Sequence, residues 1–163
     1  MGLVGTIDHV ADAYETGLRM LARRELSEAQ LRLRLQRRQL DPDDIDRGVE
    51  RLRREGALDD RRTALACART EAQVKRHGRR RVLRQLQALG IDRGIATAAV
   101  TEVFADVDES SLLAQAIERR LRGASLDRST LQRVQRYLLS KGFEAGPVNE
   151  ALRSRMKNVA HED

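Results

Sequence analysis

Four apolar positions recur three times along this chain at nearly constant spacing. Leu31, Val82 and Val134 are followed four residues later by Leu35, Leu86 and Leu138. Leu40, Ile91 and Phe143 come next, and then Val49, Val100 and Leu152. The step is 51 residues from the first set to the second and 52 from the second to the third, so one residue of slippage accumulates. Self-similarity at a fixed period of this size marks a repeat array, in which each unit is one supersecondary element that completes its core against its neighbours. Chains of this kind usually work through an extended surface, less often through a catalytic pocket.

The composition turns the repeat into a helical one. The 163 residues include only two Tyr, two Phe and no Trp, while 34% are charged. Leu, Val, Ile and Ala must build the core, which suits short helices better than a sheet. The punctuation agrees. A first helix is expected over about Ile7 to Arg23, with Val10, Tyr14, Leu18 and Leu21 at helical spacing. Ser27 with Gln30 three residues on forms a capping box for a second helix. Asp41-Pro42 opens a third, whose stripe is Ile45, Val49 and Leu52, and Gly56 ends it.

The second unit copies the plan. Asp59 or Asp60 caps a helix to about Arg76, and Gly78 breaks it. A helix over Arg79 to Leu89 closes at Gly90, and Asp92 caps another ending near Phe104. In the third unit, Asp108 to Arg122 is followed by Gly123. A helix from Asp127 or Ser129 runs through Ser140 to Gly142, and a last one starts around Pro147. The expected fold is all-α: three tandem three-helix, helix-turn-helix-like repeats at 7–55, 56–106 and 107–157 in an elongated array, with a disordered tail at 158–163.

Charge narrows the function. The net charge is +6 and the pI about 10.3, and 28 of the 31 cations are arginine. Planar guanidinium forks suit phosphates and carboxylates. The densest segment holds Arg69, Lys75, Arg76, Arg79, Arg80, Arg81 and Arg84 against only Glu71, a balance of +6 that leaves the remainder near neutral. If Val82 and Leu86 face the core, Arg80 and Arg84 lie on the opposite face, one above the other. A helix start after Gly78 would add backbone donors. A partner-binding or nucleic-acid-binding surface is expected here, with Arg34, Arg37 and Arg38 of a second basic set. Arg51, Arg53 and Arg54 alternate with Glu50 and Glu55, so ion pairing within the helix explains them.

The remaining chemistry-bearing residues read as structural. Cys67 lies among alanines and behaves as a small hydrophobe. His9, His77 and His161 are scattered and have no Cys partners at ligand spacing, so no metal is expected. Asp43-Asp44 and Asp59-Asp60 precede helices, where capping accounts for them. Tyr14, Phe104, Tyr137 and Phe143 sit at core-like spacing, which argues against sequence-specific binding of single strands by base stacking. No phosphate loop, nucleophile elbow or catalytic triad is present, and no enzyme activity or cofactor is expected. Met1 to Asp12 lacks a basic segment leading into an apolar run, and no stretch approaches a membrane span, so a cytoplasmic protein is expected.

The run from Ala13-Tyr14-Glu15-Thr16-Gly17-Leu18 through Glu25-Leu26-Ser27-Glu28 to Leu31 resembles the opening of the RecX family, regulators of the RecA recombinase. Gly56-Ala57-Leu58-Asp59-Asp60 with Ala64 resembles it too, as does His77-Gly78-Arg79-Arg80-Arg81-Val82-Leu83-Arg84 leading to Leu89-Gly90-Ile91. The likeness is best over about 13–105 and stays in register through the third repeat. It implies three-helix repeats in an elongated, curved array and a modulator, usually an inhibitor, lying in the groove of the RecA filament on single-stranded DNA; a monomer is expected, with direct contact to DNA left open. Thr63 departs from the pattern, because an aromatic is usual there, and its presence is expected to loosen the first helix of the second repeat. The competing expectation is a helix-turn-helix protein that reads duplex DNA directly. The acidic starts of the third helices, Asp43-Asp44 and Asp92, would meet phosphates badly.

Overall fold

A computed structural model describes the backbone of residues 5–162 and the side chains of 13–157. Among the described residues it is all-helical, with nine α-helices: α1 Gly5–Arg23, α2 Glu28–Arg37, α3 Pro42–Arg54, α4 Asp60–Arg69, α5 Arg79–Ala88, α6 Arg93–Ala105, α7 Glu109–Leu121, α8 Arg128–Ser140 and α9 Ala145–Glu162. The side chains of His9, Val10 and His161 lie outside the described residues. So do Asp163 and the side chains of the rest of the expected tail, whose backbone is helical to Glu162.

The helix starts follow their caps. Ser27 accepts from the Gln30 backbone at 3.2 Å, and the Gln30 side chain accepts from the Ser27 N–H at 3.1 Å, completing the capping box of α2. Asp41 accepts from Asp43 N–H at 2.9 Å, with Pro42 in the first turn. Asp59 caps α4 through Arg61 and Arg62, and Asp92 caps α6 through Gly94 and Ile95. Asp108 and Asp127 cap α7 and α8. Hydrogen bonds from the Thr130 N–H and the Ser129 hydroxyl hold the Asp127 carboxyl down at about 2. At the other ends Gly56, Gly90, Gly123 and Gly142 take φ of +76, +75, +67 and +93, the left-handed conformation that closes a helix. The last helix begins at Ala145, two residues before Pro147, which therefore sits inside its first turn.

The chain forms two compact units, one of residues 1–67 with 86–99 and the other of 68–85 with 100–163. In the first, Leu26, Leu31, Leu35, Ile45, Val49, Leu52 and Leu58 form the core. α1 and α3 pack closely through small residues, and Tyr14 and Leu21 of the expected stripe pack, partly buried, against the same core. Ala13 and Gly17 are buried while Leu18 is 40% exposed. A Cβ at Gly48 would lie 3.0 Å from the Tyr14 backbone nitrogen, and one at Gly17 would lie 2.7 Å from Leu52 Cδ1. In the same unit the Ser27 hydroxyl donates to Leu89 O, and Asp60 accepts from Glu28 N–H at 2.8 Å. Asp60 thus serves α2, while Asp59 alone caps α4.

Thr63 does not loosen α4. It is buried, and its hydroxyl has Asp59 O at 3.0 Å, Glu25 Oε2 at 3.1 Å and Leu26 O at 3.4 Å as acceptors for its one proton. Tyr14 is only half-buried. Its hydroxyl donates to Glu55 at 2.5 Å and Arg51 stacks 3.8 Å over its ring. Of the α3 cations expected to pair within the helix, Arg51 pairs with Glu55 and Arg53 with Glu50, and Arg53 also reaches Glu28 of α2.

The second unit's core joins Leu113, Ile117, Val134, Leu138, Phe143, Val148 and Leu152. Val82, Val103 and Phe104 of the same unit are buried as well. Cys67 and Leu89 are half-buried rather than inside.

Candidate partner-binding surface

The helix expected to run to Arg76 changes character first. After Arg69 it widens into a π-helical turn, Thr70–Val74, with Lys75 N–H donating to Thr70 O at 3.0 Å. Such turns are rare and carry one residue more than an α-helical turn. Arg76 then adopts φ +57, and His77 N–H reaches back to Glu71 O at 2.9 Å. The break therefore lies at Arg76, and Gly78 is a glycine for another reason. Its N–H donates to Lys141 O at 2.8 Å, and a Cβ there would lie 2.5 Å from the Gly142 carbonyl carbon.

This contact also closes the start of α5. Arg80 N–H donates to Gly142 O at 3.2 Å, so the helix start is capped by the 141–142 carbonyls. Of the backbone donors expected there for a phosphate, those of Gly78, Arg80, Arg81 and Val82 already have carbonyl acceptors within the fold.

Beneath the basic segment lies a polar cluster that the sequence does not announce. Glu71 and His77 are both buried, with His77 Nδ1 at 2.7 Å from Glu71 Oε2. Lys75 Nζ donates to the other carboxylate oxygen at 2.5 Å. Lys141 Nζ stands 3.5 Å from His77 Nε2. One tautomer satisfies both sides: Nδ1–H donates to Glu71 and the bare Nε2 faces the ammonium. Burial pushes the Glu71 carboxyl up, but the hydrogen bonds from Lys75 and His77 outweigh it and hold it below the ordinary range. Burial, with Arg81 and Lys141 nearby, pushes the imidazole below 6.5 against the pull of Glu71.

The seven cations of the segment divide by partner. Arg79 is held by Glu109 at 2.9 and 3.1 Å and lies 5.1 Å over the Phe104 ring, so it is structural. Lys75 pairs with Glu71, Arg69 approaches Glu102 at 3.8 Å, and Arg76 donates to Gln115 at 2.9 Å. Arg81 donates to Ser140 O at 3.0 Å. Arg80 and Arg84 remain: both are exposed on α5, one turn apart, and pair with no described carboxylate. Val74, at 74% exposure, stands beside the segment. Arg34, Arg37 and Arg38 belong to the other unit. Arg37 and Arg38 are exposed and Arg34 half-buried. Among the described residues no group of His, Cys, Asp and Glu is placed to hold a metal, and no helix is long and apolar enough to cross a membrane.

Fold and surface together define an all-α protein of three-helix units that displays arginine pairs. Residues 13–52 match the first three-helix domain of RecX, and residues 59–100 match the second. The regulatory protein RecX of Syntrophotalea carbinolica is 33% identical over 135 residues, covering 81% of this chain and 88% of that one. Its counterpart in Halorhodospira halophila is 33% identical over 140 residues, with 84% of each chain covered. The chain belongs to the RecX family of regulatory proteins. Its fold is shared with the crystal structure of RecX from Lactobacillus salivarius, at a TM-score of 0.81 over 91% of this chain and 97% of that one, with 20% identity.

Proposed function

We propose that this chain modulates the RecA recombinase without catalysis of its own, as a cytoplasmic monomer that lies along the RecA filament on single-stranded DNA and inhibits its growth. Membership of a family of regulatory proteins supports the regulatory role. The single observation that carries the binding site is the pair Arg80 and Arg84, exposed on one face of α5 with no described carboxylate neutralising them. Arg76 and Arg81 flank the pair, and the half-buried Arg34 with Arg37 and Arg38 forms the second basic set. Forked guanidinium donors one turn apart suit carboxylates on a protein surface or adjacent phosphates.

Direct reading of duplex DNA by a helix-turn-helix is the weaker alternative. The third helices α3 and α6 open on Asp41 and Asp92, whose carboxylates are committed to capping. A recognition helix presents its N-terminal residues to the bases, and carboxylates there repel phosphates.

The test measures binding of the chain to free RecA, to RecA filaments on single-stranded DNA, and to bare duplex. Filament binding that clearly exceeds the other two supports the reading. Preference for bare duplex over the filament overturns it.

A further inference from the structure

The cations of the second unit extend beyond α5. Tyr137 of α8 is half-buried, with Arg120 of α7 placed 4.9 Å from its ring centroid and Lys141 Nζ 5.6 Å from it. Arg81 reaches the same end of α8 through the Ser140 carbonyl at 3.0 Å. Three cations therefore converge on the end of one helix, and none pairs with a described carboxylate. α8 itself contains no acidic residue. Like charges gathered without counter-charge repel one another, and an arriving anion relieves that repulsion.

We propose that Arg81, Arg120 and Lys141 around Tyr137 form a site for the phosphodiester backbone of single-stranded nucleic acid, held by this chain directly and without the recombinase. Three observations favour a nucleic-acid backbone over an acidic protein. The strip contains none of the exposed large hydrophobics, which are Leu18, Leu33, Val74 and Met156. Protein interfaces normally bury an apolar or aromatic centre, whereas backbone recognition rests on cations alone. Two of the three cations are arginine, and Tyr137 offers part of one ring between cations, which fits a flexible strand with exposed bases better than a paired duplex. Nor is the site a by-product of pairing within the fold. Lys141 is half-buried, and its Nζ has a neutral imidazole at 3.5 Å, a poor substitute for a carboxylate.

Fluorescence anisotropy of a labelled mixed-sequence single-stranded oligonucleotide, titrated with the full chain alone at low salt, tests the site. Arg120→Gln with Lys141→Gln should lower affinity by about tenfold or more. It should also flatten the dependence of log K on log salt by about one, since each neutralised single-strand phosphate contributes about 0.7. Arg24→Gln with Arg61→Gln removes the same charge from exposed positions of the other unit and should change affinity less than about twofold. Arg120→Lys with Lys141→Arg keeps the charge and should retain binding, which separates lost contacts from a lost fold. An absence of strand binding by the unmodified chain, or equal losses in the two Gln pairs, overturns the proposal. So does loss of binding to phosphatidylserine vesicles alone, with the strand still bound. The proposal shares Arg81 with the filament reading, but its test variants leave Arg81 intact, so filament binding that survives Arg120→Gln with Lys141→Gln leaves that reading standing while the bare strand tests this one.

Discussion

Glu71 and His77 meet at 2.7 Å beneath the basic segment, both buried, and join the π-helical turn to the loop that precedes α5. Removing the Glu71 carboxylate leaves the buried, neutral His77 without an acceptor for its Nδ1–H. Glu71→Ala should therefore cost about 1–3 kcal/mol. Chemical denaturation measures this, and a loss below about 1 kcal/mol would show the cluster to be incidental.

The same pair sets a pH dependence. The folded imidazole titrates below its ordinary 6.5, so the unfolded chain binds more protons around and below that value. Its contribution is complete above pH 6.5 and is lost as the pH falls through the imidazole range. Glu71, held below 4.5, adds a further loss at lower pH. Stability should drop as the pH falls below about 6.5, and His77→Gln should flatten that slope. An unchanged slope in the variant would assign the dependence to other groups.

Gly78 and Gly142 touch backbone to backbone. Gly78→Ala places a methyl against the Gly142 carbonyl, and Gly142→Ala adds the strain of φ +93 to a collision with the Arg81 backbone. Each should cost about 2 kcal/mol, whereas Gly123→Ala, with open space around it, should cost only about 1 kcal/mol from its positive φ. Equal losses in thermal unfolding at all three glycines would contradict the contact.

Thr63→Val tests the hydroxyl that ties α4 to Glu25 and Leu26. Loss of a buried hydrogen bond with unsatisfied acceptors should cost about 1–2 kcal/mol. If an aromatic-free site were simply loose, the substitution would be neutral or stabilising in the same denaturation measurement.

Local punctuation was legible in the sequence, because a cap needs only neighbours. Ser27 with Gln30, Asp41-Pro42, Asp92 and the closing glycines all stand where their spacing placed them. Long-range commitments were not legible. Arg79 reads as a free cation until Glu109, thirty positions on, is folded beside it. The start of α5 reads as a bare helix end until the 141–142 carbonyls cap it. Ala13, Gly17 and Gly48 carry too little apolar surface to register as a stripe, yet their small size is what lets α1 and α3 approach. The π-helical turn has no composition signal at all. It shows in the backbone bond from Lys75 to Thr70. For the surface itself, Arg80 and Arg84 were legible from their spacing to Val82 and Leu86. The clustering of Arg120 and Lys141 at Tyr137 was not, since it joins two helices.

Binding to RecA filaments assembled on single-stranded DNA, compared between the unmodified chain and Arg80→Ala with Arg84→Ala, tests the proposed function most directly. Charged contacts that are desolvated on binding are worth about 2 kcal/mol or more each, and exposed rim charges well under 1. The expected result is a loss of filament affinity of at least about thirtyfold, with the helical circular-dichroism signal unchanged. An affinity within about twofold of the unmodified chain at both low and moderate salt would make this face of α5 merely solvated and contradict the site.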